Sequence, residues 1–264
     1  MENPVVAGVL VALIVPFLGN TLGAALVFLM RHGMSERFTK ALLGFAAGVM
    51  IAASVWSLIT PALEAAEGGP VPAWAPAAVG FLGGMLLLLA IDHFTPHLHV
   101  GSDEPEGPVT TLKKPTMMLF ALAIHNLPEG MAVGVVLAGF LAGDPTITLA
   151  SVVALSLGIA IQNVPEGAVV SLPLTANGMS RPKAFLAGTL CGAVEPVGAV
   201  LMVAITGLVT PLLPYVLAFA AGAMMYVVTE ELIPQTQQGR HTNIGTIGVA
   251  FGFALMMVLD VALG

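Results

Sequence analysis

The chain has 264 residues, 57% of them hydrophobic and only 9% charged, with a mean hydropathy of +0.97. A soluble domain carries roughly 25% charged residues, so the composition excludes a large soluble fold and points to an integral membrane protein. The net charge of −7 is spread over loops and buried acids and gives no sign of a nucleic-acid partner. A single cysteine, Cys191, rules out an intrachain disulfide and any cysteine-built zinc site.

A membrane-crossing helix needs about 20 predominantly apolar residues. Eight segments qualify in chain order: Pro4–Met30, Thr39–Pro61, Val71–Thr95, Pro115–Leu141, Thr146–Pro173, Lys183–Leu208, Pro211–Pro234 and Asn243–Leu263. The expected fold is therefore all-α, a polytopic bundle forming one transmembrane domain over residues 1–264. The first segment lacks a basic n-region and is too long for a signal-peptide core, so it reads as a retained helix. Only Ala142-Gly143-Asp144-Pro145 separates the fourth and fifth segments, which predicts an antiparallel hairpin. Glycines four apart, at Gly19/Gly23, Gly44/Gly48, Gly80/Gly84, Gly130/Gly134, Gly188/Gly192 and Gly248/Gly252, suit close helix crossings.

All eight Lys and Arg fall in alternate loops. Arg31, Arg37 and Lys40 lie in the first, Lys113 and Lys114 in the third, Arg181 and Lys183 in the fifth, and Arg240 in the seventh. The positive-inside rule then places the odd loops in the cytoplasm and both termini outside. Short loops favour a bacterial cytoplasmic membrane. The third loop, about 96–114, carries HFTPHLH and SDEPEG and reads as a flexible cytoplasmic segment.

The chemistry concentrates in two matched motifs, HNLPEG at His125–Gly130 and QNVPEG at Gln162–Gly167. Each sets two metal-competent side chains four apart, on one helix face: His125 with Glu129, and Gln162 with Glu166. Ionisable groups at membrane depth are costly and mark binding or conduction. Glu129, Glu166 and Glu195 are deep, and each abuts a proline, Pro128, Pro165 or Pro196. Proline removes a helix hydrogen bond and frees the carbonyl four residues back, here Ile124, Ile161 and Gly192. Carboxylates beside freed carbonyls make a plausible cation site, and bent helices near the midplane recur in transporters. His nitrogen with Glu and Asn oxygens suits Zn²⁺, while an oxygen-rich set also admits Mn²⁺, Fe²⁺, Co²⁺ or Cd²⁺. Asn126 and Gln162 also have a simple alternative as helix-bridging hydrogen-bond partners, and Met50 as core packing. His97 and His99, with Asp92 and His93 nearby, form a metal-capture pattern or a solvated loop. His32 and His241 read as interfacial residues.

At these residues the chain resembles the ZIP (Zrt/Irt-like protein) family of divalent metal transporters, and most of all its bacterial branch. The resemblance spans the eight segments, both motifs and the histidine-bearing third loop. It implies inverted repeats, segments one to three and six to eight, around the central fourth and fifth. It implies one metal site from His125, Glu129, Gln162 and Glu166. An adjacent second site would come from Asn126, Asn163 and Glu195, with Glu129 and Glu166 shared. By the same resemblance Met50 lines the entrance side, and Glu231, Asp92, His97 and His99 fall on the cytoplasmic release route. Homodimers moving one helix group against another are also implied. Many relatives carry HE-x-PHE where this chain has Gln162 and Glu166, and some carry Asp at the position of Asn163. The expected function is uptake of a divalent transition metal, Zn²⁺ first, as bound cargo rather than cofactor.

Two other classes lack their signatures in the sequence. An intramembrane zinc protease needs H-E-x-x-H, and a di-iron carboxylate bundle needs paired E-x-x-H; neither motif is present. A metal sensor would ordinarily carry a soluble signalling domain, and the sequence shows none.

Overall fold

The computed structural model describes residues 4–30, 34–98, 105–176, 178–204 and 212–263. Among the described residues eight helical spans are long and apolar enough to cross a membrane: Val5–Leu29, Glu36–Ala65, Trp74–Phe94, Thr116–Ala142, Leu149–Ala176, Arg181–Ala204, Leu213–Gln237 and Ile244–Leu263. Each coincides with a segment expected from the sequence. Among the described residues the only extended pairing is one isolated antiparallel bridge between His97 and Glu106, in the third loop.

Packing follows a regular scheme. The first span lies against the fifth, the second against the eighth, the third against the seventh and the fourth against the sixth. Exchanging one with six, two with seven, three with eight and four with five leaves this set of pairs unchanged, as inverted repeats require. The fourth and fifth spans sit at the centre and are largely buried. The outer faces of the first, third and eighth spans expose Leu22, Leu82, Leu86, Phe251 and Val261, as a hydrocarbon environment demands. The main core joins Leu43, Met50, Val136, Leu155, Leu217, Met224 and Met256 from five spans.

Proline leaves different marks on different spans. The fourth and fifth continue as single helices, Lys114–Ala142 and Leu149–Ala176, through Pro128 and Pro165. Interruptions fall in the second, sixth and seventh spans. The second span widens into a π-helical turn at Ser54–Ile59 just before Pro61, and the seventh does so at Val228–Leu232 just before Pro234. A proline ring displaces the carbonyl four residues back, here that of Ser57 or Glu230, and one widened turn relieves the clash. These two π-turns occupy corresponding places in the two repeats. The sixth span breaks at Ala193, between helices Arg181–Gly192 and Val194–Ala204, with Pro196 in the first turn of the second piece.

Buried polar ties fix the ends of the bundle. Lys40 is only 3% exposed. Its ammonium donates to the Arg240 carbonyl at 2.9 Å and pairs with Glu36 at 2.8 Å, joining the second span to the loop before the eighth. At the other end Ser57 donates to Asp260 at 2.5 Å. Lys40→Met keeps the alkyl stem but leaves the carbonyl without its charged donor. The expected cost is about 1–3 kcal/mol, read as a lowered melting temperature of the purified protein; an unchanged melting curve would show the tie to be idle.

Candidate metal centre

The two motif helices bring their polar faces together at the bundle centre, and the sixth and seventh spans close around them. Glu129 and Gln162 are fully buried, and Asn126, Asn163 and Glu195 nearly so. Gln162 Nε2 donates at 2.7 Å to Glu129 Oε1 and at 2.7 Å to Asn163 Oδ1. Asn163 Nδ2 donates at 2.8 Å to Glu195 Oε2 and at 3.3 Å to the Pro16 carbonyl. A continuous chain, Glu129–Gln162–Asn163–Glu195, thus runs from the fourth span through the fifth to the sixth. The break at Ala193 starts a new helix whose first turn holds Glu195, which aims that carboxylate inward. Gly130, next to Glu129, rests directly on the Glu195 backbone, so the fourth and sixth spans approach at the site itself.

Several atoms of this chain and of the neighbouring Asn126 are buried and lack a hydrogen-bond partner: Glu129 Oε2, Gln162 Oε1, Glu195 Oε1 and both amide atoms of Asn126. An unpaired acceptor in a dry interior is expensive. All of these except the Asn126 nitrogen are oxygens able to ligate a hard or borderline cation.

The second half of the site surrounds a cavity of about 40 Å³. His125 and Glu166 reach it from the motif helices, and Glu231 from the π-turn of the seventh span. His125 Nε2 lies 2.7 Å from Glu231 Oε1. A carboxylate accepts, so Nε2 carries the proton in this arrangement. The π-turn explains why Glu231 is buried while the adjacent Glu230 is exposed. The cavity shares Leu43, Val169 and Gln235 with a wider one of about 330 Å³, lined also by Glu36, Thr39, Lys40, Gln238 and Gly239. The site therefore opens toward the bundle end that carries Lys40 and Arg240.

Other expected site residues lie apart. Met50 is fully buried in the main core, outside the lining of both cavities. Asp92, in the last turn of the third span, meets His97 just past its end, with His97 Nε2 3.0 Å from Asp92 Oδ1. They also line neither cavity; Asp92 touches the seventh span through Tyr226, whose hydroxyl donates to Asp92 Oδ2 at 3.0 Å. His99 lies outside the described residues. Tyr226, the Ser57–Asp260 pair and Lys40 carry polar contacts that sequence reasoning did not single out. Asp260 offered a signal, as an acid in a membrane span.

Residues 114–260 match the family model described as ZIP Zinc transporter. The chain belongs to the ZIP family. It is 42% identical over 253 residues to Zinc transporter ZIPB of Bordetella bronchiseptica, covering 94% of this chain and 79% of that one. It is 37% identical over 314 residues to Zinc transporter ZIP11 of Xenopus tropicalis, covering 92% and 93%. Zinc transporter GufA of Myxococcus xanthus is 40% identical over 213 residues, covering 79% and 81%. The segment matched to the ZIP model contains His125, Glu129, Gln162, Glu166, Glu195 and Glu231.

Proposed function

We propose that this ZIP-family protein carries Zn²⁺ across a membrane into the cytoplasm through the site formed by its fourth and fifth spans. The observation that carries the reading is the buried constellation itself. His125, Glu166 and Glu231 face one cavity, beside a chain of amides and carboxylates with unpaired oxygens. Its relatives from Bordetella bronchiseptica and Xenopus tropicalis are named zinc transporters. His125 supplies the nitrogen ligand. Glu129 and Glu166 are the charged ligands, Gln162 a neutral oxygen ligand, and Asn126, Asn163 and Glu195 form the adjoining site.

For His125 to ligate through Nε2, its contact with Glu231 must open. Loading the metal and freeing Glu231 are then one event: the Nε2 proton passes to water, and the neutral ring that binds keeps its proton on Nδ1. The freed carboxylate stands on the side that leads past Gln235 to the mouth at Lys40. All eight basic residues belong to this end or to loops of the same parity, which supports reading it as the cytoplasmic one. The donor set holds one nitrogen among many oxygens, so transport of Mn²⁺, Fe²⁺, Co²⁺ or Cd²⁺ by the same route is the second reading.

Uptake into proteoliposomes tests both, with the five metals run in parallel. Saturable Zn²⁺ uptake that His125→Ala removes is the expected result. The order of rates among the metals ranks the cargo. Folded protein that moves none of them would overturn the transport reading.

A further inference from the structure

We infer that the Lys40 ammonium is a tethered cation that fills an oxygen-lined place in the wall of the wider cavity, so that a divalent ion leaving the central site is not held there. This takes from the proposed function only that metal leaves by this mouth.

Among the described residues lining the wider cavity, Glu36 is the one acid and Lys40 the one base. They stand four apart at the start of the second span, on one helix face. Lys40 Nζ lies 2.8 Å from Glu36 Oε1 and donates at 2.9 Å to the Arg240 carbonyl. The ammonium is buried, while the carboxylate is exposed. Gly239 lets the loop before the eighth span close on that carboxylate. It has φ +66°, and a β-carbon there would come within 2.6 Å of Glu36 Oε1. A carboxylate and a backbone carbonyl thus converge on one point, and both are ligand types for divalent ions. Thr39, Gln235 and Gln238 add further polar side chains to the same lining.

A neutral donor could serve the Arg240 carbonyl, and burying an ammonium costs solvation, so the tie by itself does not call for a charge. The mouth does. Gln235 lines both cavities and donates at 3.4 Å to Glu231 Oε2, so it links the central site to this wall. A metal released past Glu231 therefore meets Glu36 next. Without a counter-cation, that carboxylate and the carbonyl would hold the metal, and release would become the slow step. The ammonium already occupies both oxygens. It cannot diffuse away, and its charge repels a second cation. Lys40 acts through Glu36, as a positioning residue, and is not itself a ligand.

The test compares Lys40→Ala, Glu36→Gln and the double variant with the parent, by Zn²⁺ uptake into proteoliposomes and by calorimetric Zn²⁺ titration of the purified full chain. Lys40→Ala is expected to lower the maximal rate and KM together, by about fivefold or more, because slow release holds the carrier in its loaded form. A merely destabilised protein loses maximal rate with KM unchanged. Lys40→Ala is also expected to bind a class of Zn²⁺ that the parent does not. Glu36→Gln stays within about twofold of the parent, since an exposed carboxylate contributes little. The double variant regains the parent's rate and KM and loses the extra class, although its melting temperature stays as low as that of Lys40→Ala. A double variant as slow as Lys40→Ala overturns the inference. So does a Lys40→Ala protein that binds no additional Zn²⁺, whatever its uptake. If Lys40→Ala does not fold, Lys40→Gln is read in the same two assays, because it keeps a neutral donor for the Arg240 carbonyl and removes the charge. The parent and His125→Ala decide the transport reading separately, and the titration decides this one even if no metal is moved.

Discussion

Glu166→Ala is expected to reduce Zn²⁺ uptake by more than about a hundredfold, while the protein still folds. Loss of a partner to a metal ligand already costs about 10–100-fold, and Glu166 is proposed as a ligand itself. Its carboxylate reaches the cavity that holds His125 and Glu231, so the proposed site loses an acid that faces both of them. The truncation is toward a smaller and less polar side chain in a helix, so the bundle tolerates it. Uptake in reconstituted vesicles, normalised to folded protein, is the measurement. Flux at the parent's level would remove Glu166 from the ligand set and restrict the site to His125, Glu129 and Gln162.

Gly130→Val is expected to act through packing instead. A β-carbon at this position would fall on the backbone of Glu195, including its carbonyl oxygen. Overpacking in a fitted interior costs about 1–3 kcal/mol or somewhat more, and a backbone neighbour cannot rotate out of the way. The fourth and sixth spans must separate, and Glu195 moves off Asn163. A large drop in melting temperature together with loss of uptake is the expected outcome. Gly83→Ala is the control, since a β-carbon there meets only the Phe219 ring, at 3.6 Å. That exchange is expected to be neutral or slightly stabilising through helix propensity. Equal behaviour of the two variants would mean that the contact at Glu195 is not what sets the spacing.

The spans, their number and the paired motifs were legible in the sequence because hydropathy and helical periodicity are local. Gln162 meets Glu129 because both lie on the inward faces of adjacent antiparallel helices, which the short turn at Gly143 already implied. The glycine pairs were legible in the same way: Gly80 and Gly84 do lie against the backbone of the seventh span, and Gly44 and Gly48 against the eighth. Proline acts differently from span to span. Pro128 and Pro165 stand inside uninterrupted helices, while Pro61 and Pro234 follow the π-turns. A proline demands relief of a clash, but the neighbours decide whether the helix bends, widens or breaks.

By itself the sequence determined a membrane-embedded helical bundle and which side chains in the fourth and fifth spans are competent to hold a cation. Those follow from transfer energies and a 3.6-residue repeat, which depend on neighbours along the chain. Only the tertiary structure decided that His125 meets Glu231, that Asn163 meets Glu195, and that the cavity leads past Gln235 to Lys40. Only it set Glu106 beside His97. Each of these pairs joins different elements, and their meeting depends on helix spacing and loop path that no local periodicity encodes.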